Sequence, residues 1–203
     1  MLRAYFVVGL VYVAFCVATI ASRALTRPAP VMPAPAPVRA SHADVTATVA
    51  PPPSGAGWFQ RVKPFCNAVE VETEQRSDPA PSGDDGAAYS AACYALGGKI
   101  AHAQAVIDAL PASSRSWAAG IVFDIAHPVA DAGDNESAGP IMRLVLEYQP
   151  NNYMALYHAG MAEWILGDHE RALAHLTAFR RLYRENDFFG SNADKALRAM
   201  GAE

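Results

Sequence analysis

Apolar residues recur at helical spacing in paired segments that break at glycines. Tyr153–Leu166 is apolar nearly throughout, with Leu156, Gly160 and Trp164 one turn apart. Gly167, Asp168 and His169 interrupt it, and residues 170–184 then place Leu173, Leu176, Phe179 and Leu182 on one face. The pattern predicts two helices joined at Gly167. This glycine can take the left-handed conformation that ends the first helix, and Asp168 can accept from the free amides that begin the second. Small residues at Gly160 and Ala172 suit a close antiparallel crossing, because larger side chains would push the helix axes apart.

The same scheme recurs upstream. Gly98, Gly133 and Gly167 are separated by 35 and 34 residues. Ala103, Ala138 and Ala172 follow each glycine by five positions, and Ile107, Met142 and Leu176 by nine. Ala91, Ala126 and Gly160 precede each by seven. Four columns sharing one period mark an array of stacked helical units. The second unit closes with Pro150, Asn151 and Asn152, and Asp134 stands where Asp168 stands in the third.

With these residues in place, the chain resembles the tetratricopeptide repeat family over residues 84–184. That family has a 34-residue helical hairpin with small residues at the crossing, Gly at the turn, Ala in the second helix and Pro at the end. Several positions depart from its pattern. Only the second unit has the closing Pro, Glu163 stands where an aromatic residue is usual, and Ala87, Val122 and Leu156 replace the expected Trp. Pro128 falls inside the first helix of the second unit, where it removes a hydrogen bond and favours a kink. The resemblance implies an all-α fold: a short tetratricopeptide-like α-solenoid of about three helix-turn-helix units with capping helices, over residues 84–203.

Two segments read as caps. In residues 57–83, Trp58, Phe59, Val62, Phe65 and Val69 predict one helix face, interrupted at Pro64; the run VEVET also suits a short strand. At the other end, residues 191–202 predict a short helix with Ala193, Ala196, Leu197 and Met200 inward and Asp194, Lys195 and Arg198 as its polar face.

The N-terminal part is of another kind. Residues 4–22 carry no charge, and such a helix is about 28 Å long, close to the hydrocarbon thickness of a bilayer. Residues 1–26 are therefore a membrane anchor or an export signal. Arg23 and Arg27 follow the span and only Arg3 precedes it, which by charge alone places the domain in the cytoplasm. A very short N-terminal tail followed by an extended linker favours the opposite topology, and the expectation is a single-pass anchor with an exported domain. Residues 27–56 are rich in Pro and Ala without a sustained apolar pattern, and read as a disordered, extended tether.

Charged residues make up 18% of the 203-residue chain and the formal net charge is -4. A weakly acidic chain without a basic run gives no support to nucleic-acid binding. Cys66 and Cys93 are the cysteines outside the apolar segment. They either pair in an oxidising compartment or serve as two buried thiols. His127 and Asp131 lie four residues apart and could share a helix face around a metal. Pro128 and Gly133 disturb that geometry, and the segment holds no second His or Cys, so no metal or cofactor is assigned. His102, His158, His169 and His175 fall on different helices and read as ordinary surface or half-buried histidines. No nucleophile or phosphate-binding motif points to an enzyme.

The family resemblance implies that the first helix of each unit lines a concave groove. Carried over, the register places Phe123, His127 and Asp131 there from the second unit, and Tyr157, Met161 and Trp164 from the third. The first unit contributes Ala88, Ala92 and Ala95. An aromatic- and Met-lined groove suits an apolar peptide segment or helix. The function expected is a membrane-tethered scaffold that binds a protein or peptide partner in the cell envelope, with self-association through the repeats as one form of partnership. The alternatives are a small hydrolase or metal-binding domain centred on His127 and Asp131, and a purely structural subunit of an envelope assembly.

Overall fold

The computed structural model of the chain describes residues 54–202. The expected anchor over residues 1–26 and the tether up to residue 53 lie outside the described residues. Among the described residues no helix is long and apolar enough to cross a membrane, and all regular structure is helical.

Three helical hairpins follow one another: α3 (Asp84–Leu96) with α4 (Ile100–Asp108), α5 (Ala112–Asp131) with α6 (Asn135–Tyr148), and α7 (Tyr153–Leu166) with α8 (His169–Leu182). They are preceded by α1 (Gly55–Val62), a 3-10 turn (Lys63–Phe65) and α2 (Val71–Ser77), and followed by α9 (Phe188–Ala199). Within each hairpin the two helices pack on each other. α3 also packs on α5, and α6 on α7, so the hairpins lie against one another in chain order.

The three turns are built alike. Gly98, Gly133 and Gly167 have φ of 71°, 81° and 87°, a region that glycine enters without steric cost. Each glycine amide donates to the carbonyl three residues back, to Ala95, Ala130 and Trp164 respectively. The next amide donates five residues back: Lys99 to Tyr94, Asp134 to Val129, and Asp168 to Glu163, at 2.9, 3.3 and 2.8 Å. This pairing satisfies carbonyls that the helix end would leave open. Asp134 and Asp168 then cap the second helices, accepting from the amides of Ser137 and Arg171. Asn152 caps α7 in the same way and Asp187 caps α9.

The small-residue columns all fall at helix contacts: Ala91, Ala103, Ala126, Ala138 and Ala172 are buried. At Gly160 the helices approach closely, for a Cβ there would sit 2.7 Å from Leu176 Cγ and 3.2 Å from the Leu176 backbone nitrogen. Ile107, Met142 and Leu176, the column nine residues after each turn, are fully buried.

Several sequence expectations shift. On α8 the buried face runs through Ala172, Leu176 and Phe179, whereas Leu173 and Leu182 are exposed; both are rotated off the stripe that meets α7. Pro128 lies inside α5, as expected, and the helix continues past it to Asp131. In the N-terminal cap, Trp58, Phe59 and Val62 are buried but Phe65 and Val69 are not. The α-helix stops at Val62 and the Pro64 turn redirects the chain. The VEVET run opens a helix, with Val71 buried. At the C-terminus Ala193 and Ala196 are buried, Leu197 and Met200 are half-buried, and Asp194 is not a free surface acid. Its carboxylate accepts from Arg180 of α8 at 2.8 and 3.3 Å.

Both ends are sealed by aromatic clusters. Trp58, Phe59, Val62, Cys66, Val71 and Cys93 form one, with the Trp58 indole donating to the Asp78 carbonyl at 2.8 Å. Tyr157, Leu176, Phe179, Ala193 and Ala196 form part of the other. Cys66 and Cys93 are joined in a disulfide that ties the N-terminal cap to α3.

Two stability measurements check this packing. Gly160→Ala is expected to lower unfolding free energy by about 1–2 kcal/mol, because overpacking against Leu176 outweighs the gain in helix propensity. Denaturant melts that show no loss would contradict the close crossing. The disulfide closes a loop between residues 27 apart in sequence, so Cys66→Ser with Cys93→Ser should cost about 3–4 kcal/mol in the same assay.

Candidate functional site

α5 carries Phe123, His127 and Asp131 at four-residue intervals, which puts them on one stripe. Because the helix runs unbroken past Pro128, His127 and Asp131 keep a common face. The Phe123 ring stacks on the His127 imidazole with centroids 4.8 Å apart. α7 brings a third polar group, His158, edge-on to His127 at 4.9 Å. His158 Nε2 lies 3.4 Å from Asp131 Oδ1, and His127 Nε2 lies 3.6 Å from the same oxygen. One potential ligand atom from each of the three residues lies within 4.8 Å of the other two.

This cluster is graded in exposure. His158 is buried, His127 half-buried and Asp131 open to solvent. Both Nε2 atoms are shielded from solvent, and neither has a hydrogen-bond partner among the described residues. Burial pushes the His158 imidazole down to about 4; nearby His127 adds to this and Asp131 opposes it. His158 is therefore neutral near pH 7.

The remaining groove residues expected from sequence sit elsewhere. Tyr157 is 5% exposed and packs between Phe179 and Phe189, with centroids 5.2 Å from each. Burial raises its phenol above the ordinary value. Met161 and Trp164 are half-buried against the same C-terminal cluster. Ala88, Ala92 and Ala95 are buried in the main core. The structure thus gathers Phe123, His127 and Asp131 around His158, and assigns Tyr157 to the interior.

The sequence reads His158 as an ordinary surface or half-buried histidine and does not join it to His127 and Asp131. The repeat register aligns Phe123 with Tyr157 and so turns the neighbouring residue away from the groove. The available signal was an imidazole one position off that register, on the first helix of the adjoining unit.

A second polar cluster joins the helices on the other side of α7. Glu163 is only 2% exposed. Its carboxylate meets His175 Nδ1 of α8 at 2.6 Å and Arg143 Nη1 of α6 at 3.6 Å. The position where an aromatic residue was expected thus holds a buried carboxyl group facing a side chain on each flanking helix. Beside it, a cleft of about 900 Å³ opens along the second helices, lined in part by Gln104, Arg143, Glu147, Arg171 and His175. No spacing in the sequence signals this cleft, because its walls come from three separate hairpins.

Comparison with protein-family models, curated proteins and solved structures yields no match to the chain.

The Glu163 cluster makes an asymmetric prediction. His175→Ala strips a buried carboxylate of its nearest partner and should destabilise by about 3 kcal/mol. Glu163→Met replaces that carboxylate with an apolar group of similar length, while Arg143 and His175 keep access to water. It should cost less than about 1 kcal/mol. Equal losses in chemical unfolding would contradict the assignment.

Proposed function

We propose that the chain is a membrane-tethered scaffold of tetratricopeptide-like hairpins that binds a protein or peptide partner in the cell envelope. The observation that carries this reading is the succession of three hairpins with one turn design, packed in chain order and closed at both ends by caps. Terminal caps shield the apolar ends of such an array and leave its lateral faces for partners.

On the first helices, Phe123, Met161 and Trp164 retain partial exposure. Aromatic and Met side chains supply contact energy for an apolar peptide segment or helix. The charge-free segment over residues 4–22 supports a tether, and the Pro- and Ala-rich stretch after it supports reach away from the bilayer. The Cys66–Cys93 disulfide favours an oxidising, exported location for the domain. In this reading the chain is not an enzyme.

Site-specific photo-crosslinking in the native membrane tests the surface. A photoreactive residue at Phe123 or Trp164 of the full-length chain is expected to form adducts with a partner protein or a second copy. The same probe at Gln104, in the second-helix cleft, should form none. Adducts from Gln104 alone would overturn the assignment to the first-helix face.

A further inference from the structure

We propose that His127, Asp131 and His158 bind a single Zn²⁺ ion through His127 Nε2, His158 Nε2 and Asp131 Oδ1. The argument begins with distances. Zn²⁺ holds imidazole nitrogen and carboxylate oxygen at about 2.0–2.1 Å, so ligand atoms around a tetrahedral ion stand about 3.3 Å apart. Octahedral coordination at the same bond lengths would bring neighbouring ligands to about 2.9 Å. The nitrogen–oxygen separations here are 3.4 and 3.6 Å, close to the tetrahedral edge. On the third edge, one ring nitrogen of each histidine lies within 4.8 Å of the other, and coordination would draw the two rings together.

The donors are also left without another use. A charge-assisted hydrogen bond between imidazole and carboxylate would bring the atoms to about 2.7–2.9 Å, and neither pair does so. Both Nε2 atoms are buried without a hydrogen-bond partner among the described residues, although buried polar atoms are ordinarily satisfied. A cation between them and Asp131 satisfies both at once. Two imidazoles and one carboxylate form a ligand set suited to zinc. Asp131 is 53% exposed, which provides a route of entry and leaves the fourth position to water.

The site has a structural consequence. His127 and Asp131 belong to the second hairpin and His158 to the third, so one ion ties α5 to α7 across their joint. This inference stands independently of peptide binding, because it requires no partner.

The test uses the full-length chain in detergent, stripped with a chelator and titrated with Zn²⁺ against a chromophoric competitor. The expected result is one Zn²⁺ per chain, a rise in thermal midpoint on binding, and the intense visible absorption of four-coordinate Co²⁺ on substitution. His127→Ala and Asp131→Asn should each weaken Zn²⁺ binding by more than about 100-fold, exceeding the loss typical of an outer-shell partner. His169→Ala, on the exposed start of α8, should bind as the parent does. Asp131 is exposed, so Asp131→Asn should unfold in the metal-free state at the parent temperature, which separates lost binding from lost folding. Absence of stoichiometric uptake by the parent would overturn the proposal. So would undiminished binding in both ligand variants, or a weak six-coordinate cobalt spectrum.

Discussion

The close crossing of paired helices is the constraint on which the rest of the structure depends. Each hairpin brings two backbones together through residues with one side-chain carbon or none. Gly160 lies close against Leu176, and the buried alanines at 91, 103, 126, 138 and 172 occupy the other crossings. Such contacts bury little apolar area per residue. The larger apolar contribution comes from Ile107, Met142 and Leu176, each inserted from the second helix two turns beyond the bend. The two ends add what the alanine-rich centre lacks: Trp58 and Phe59 of the N-terminal cap, and Tyr157 and Phe179 of the third hairpin packed against Phe189, Ala193 and Ala196 of α9.

That constraint also decides where polar chemistry can sit. With the hairpins packed so closely, a polar side chain on α7 must reach solvent, meet a partner on a neighbouring helix, or remain unsatisfied. Glu163 takes the second course through His175 at 2.6 Å, while its Oε1 faces Arg143 at 3.6 Å without a hydrogen bond. His158 points toward α5 and meets His127 and Asp131 at distances too long for strong hydrogen bonds. The two clusters lie on opposite sides of one helix. Both join adjacent elements, Glu163 through buried charge and His158 through an incompletely satisfied set of donors. The disulfide performs a related task at the N-terminal cap, holding by a covalent link what a short helix and a 3-10 turn would hold weakly.

How much of this was legible in the sequence follows the range of the interactions. The turns were legible because a left-handed glycine, and at Gly133 and Gly167 the aspartate that follows it, are local requirements met within six residues of one another. The crossing was legible because small residues must recur with the period of the unit. The cap was only partly legible: Trp58, Phe59 and Val62 are buried as the pattern suggests, but Phe65 and Val69 continue that pattern past a proline that ends the helix. On α8, Leu173 and Leu182 have the composition of a core and the wrong rotation about the helix axis. Periodicity fixes the angles between residues on one helix. It does not fix which angle faces the neighbour.

Taken by itself, the amino-acid sequence determined a succession of helical hairpins, their bends at Gly98, Gly133 and Gly167, their close crossings and the presence of a charge-free N-terminal segment. These depend on backbone conformation, side-chain size and composition within short stretches. Only the tertiary structure decided that Tyr157 turns inward while His158 meets His127 and Asp131, that Glu163 is buried between Arg143 and His175, and that Cys66 joins Cys93. Each of these depends on the relative rotation and offset of separate helices. That placement is set by the sum of many packing contacts, and a difference of one position on a helix, about 100° of rotation, exchanges a core residue for a site residue.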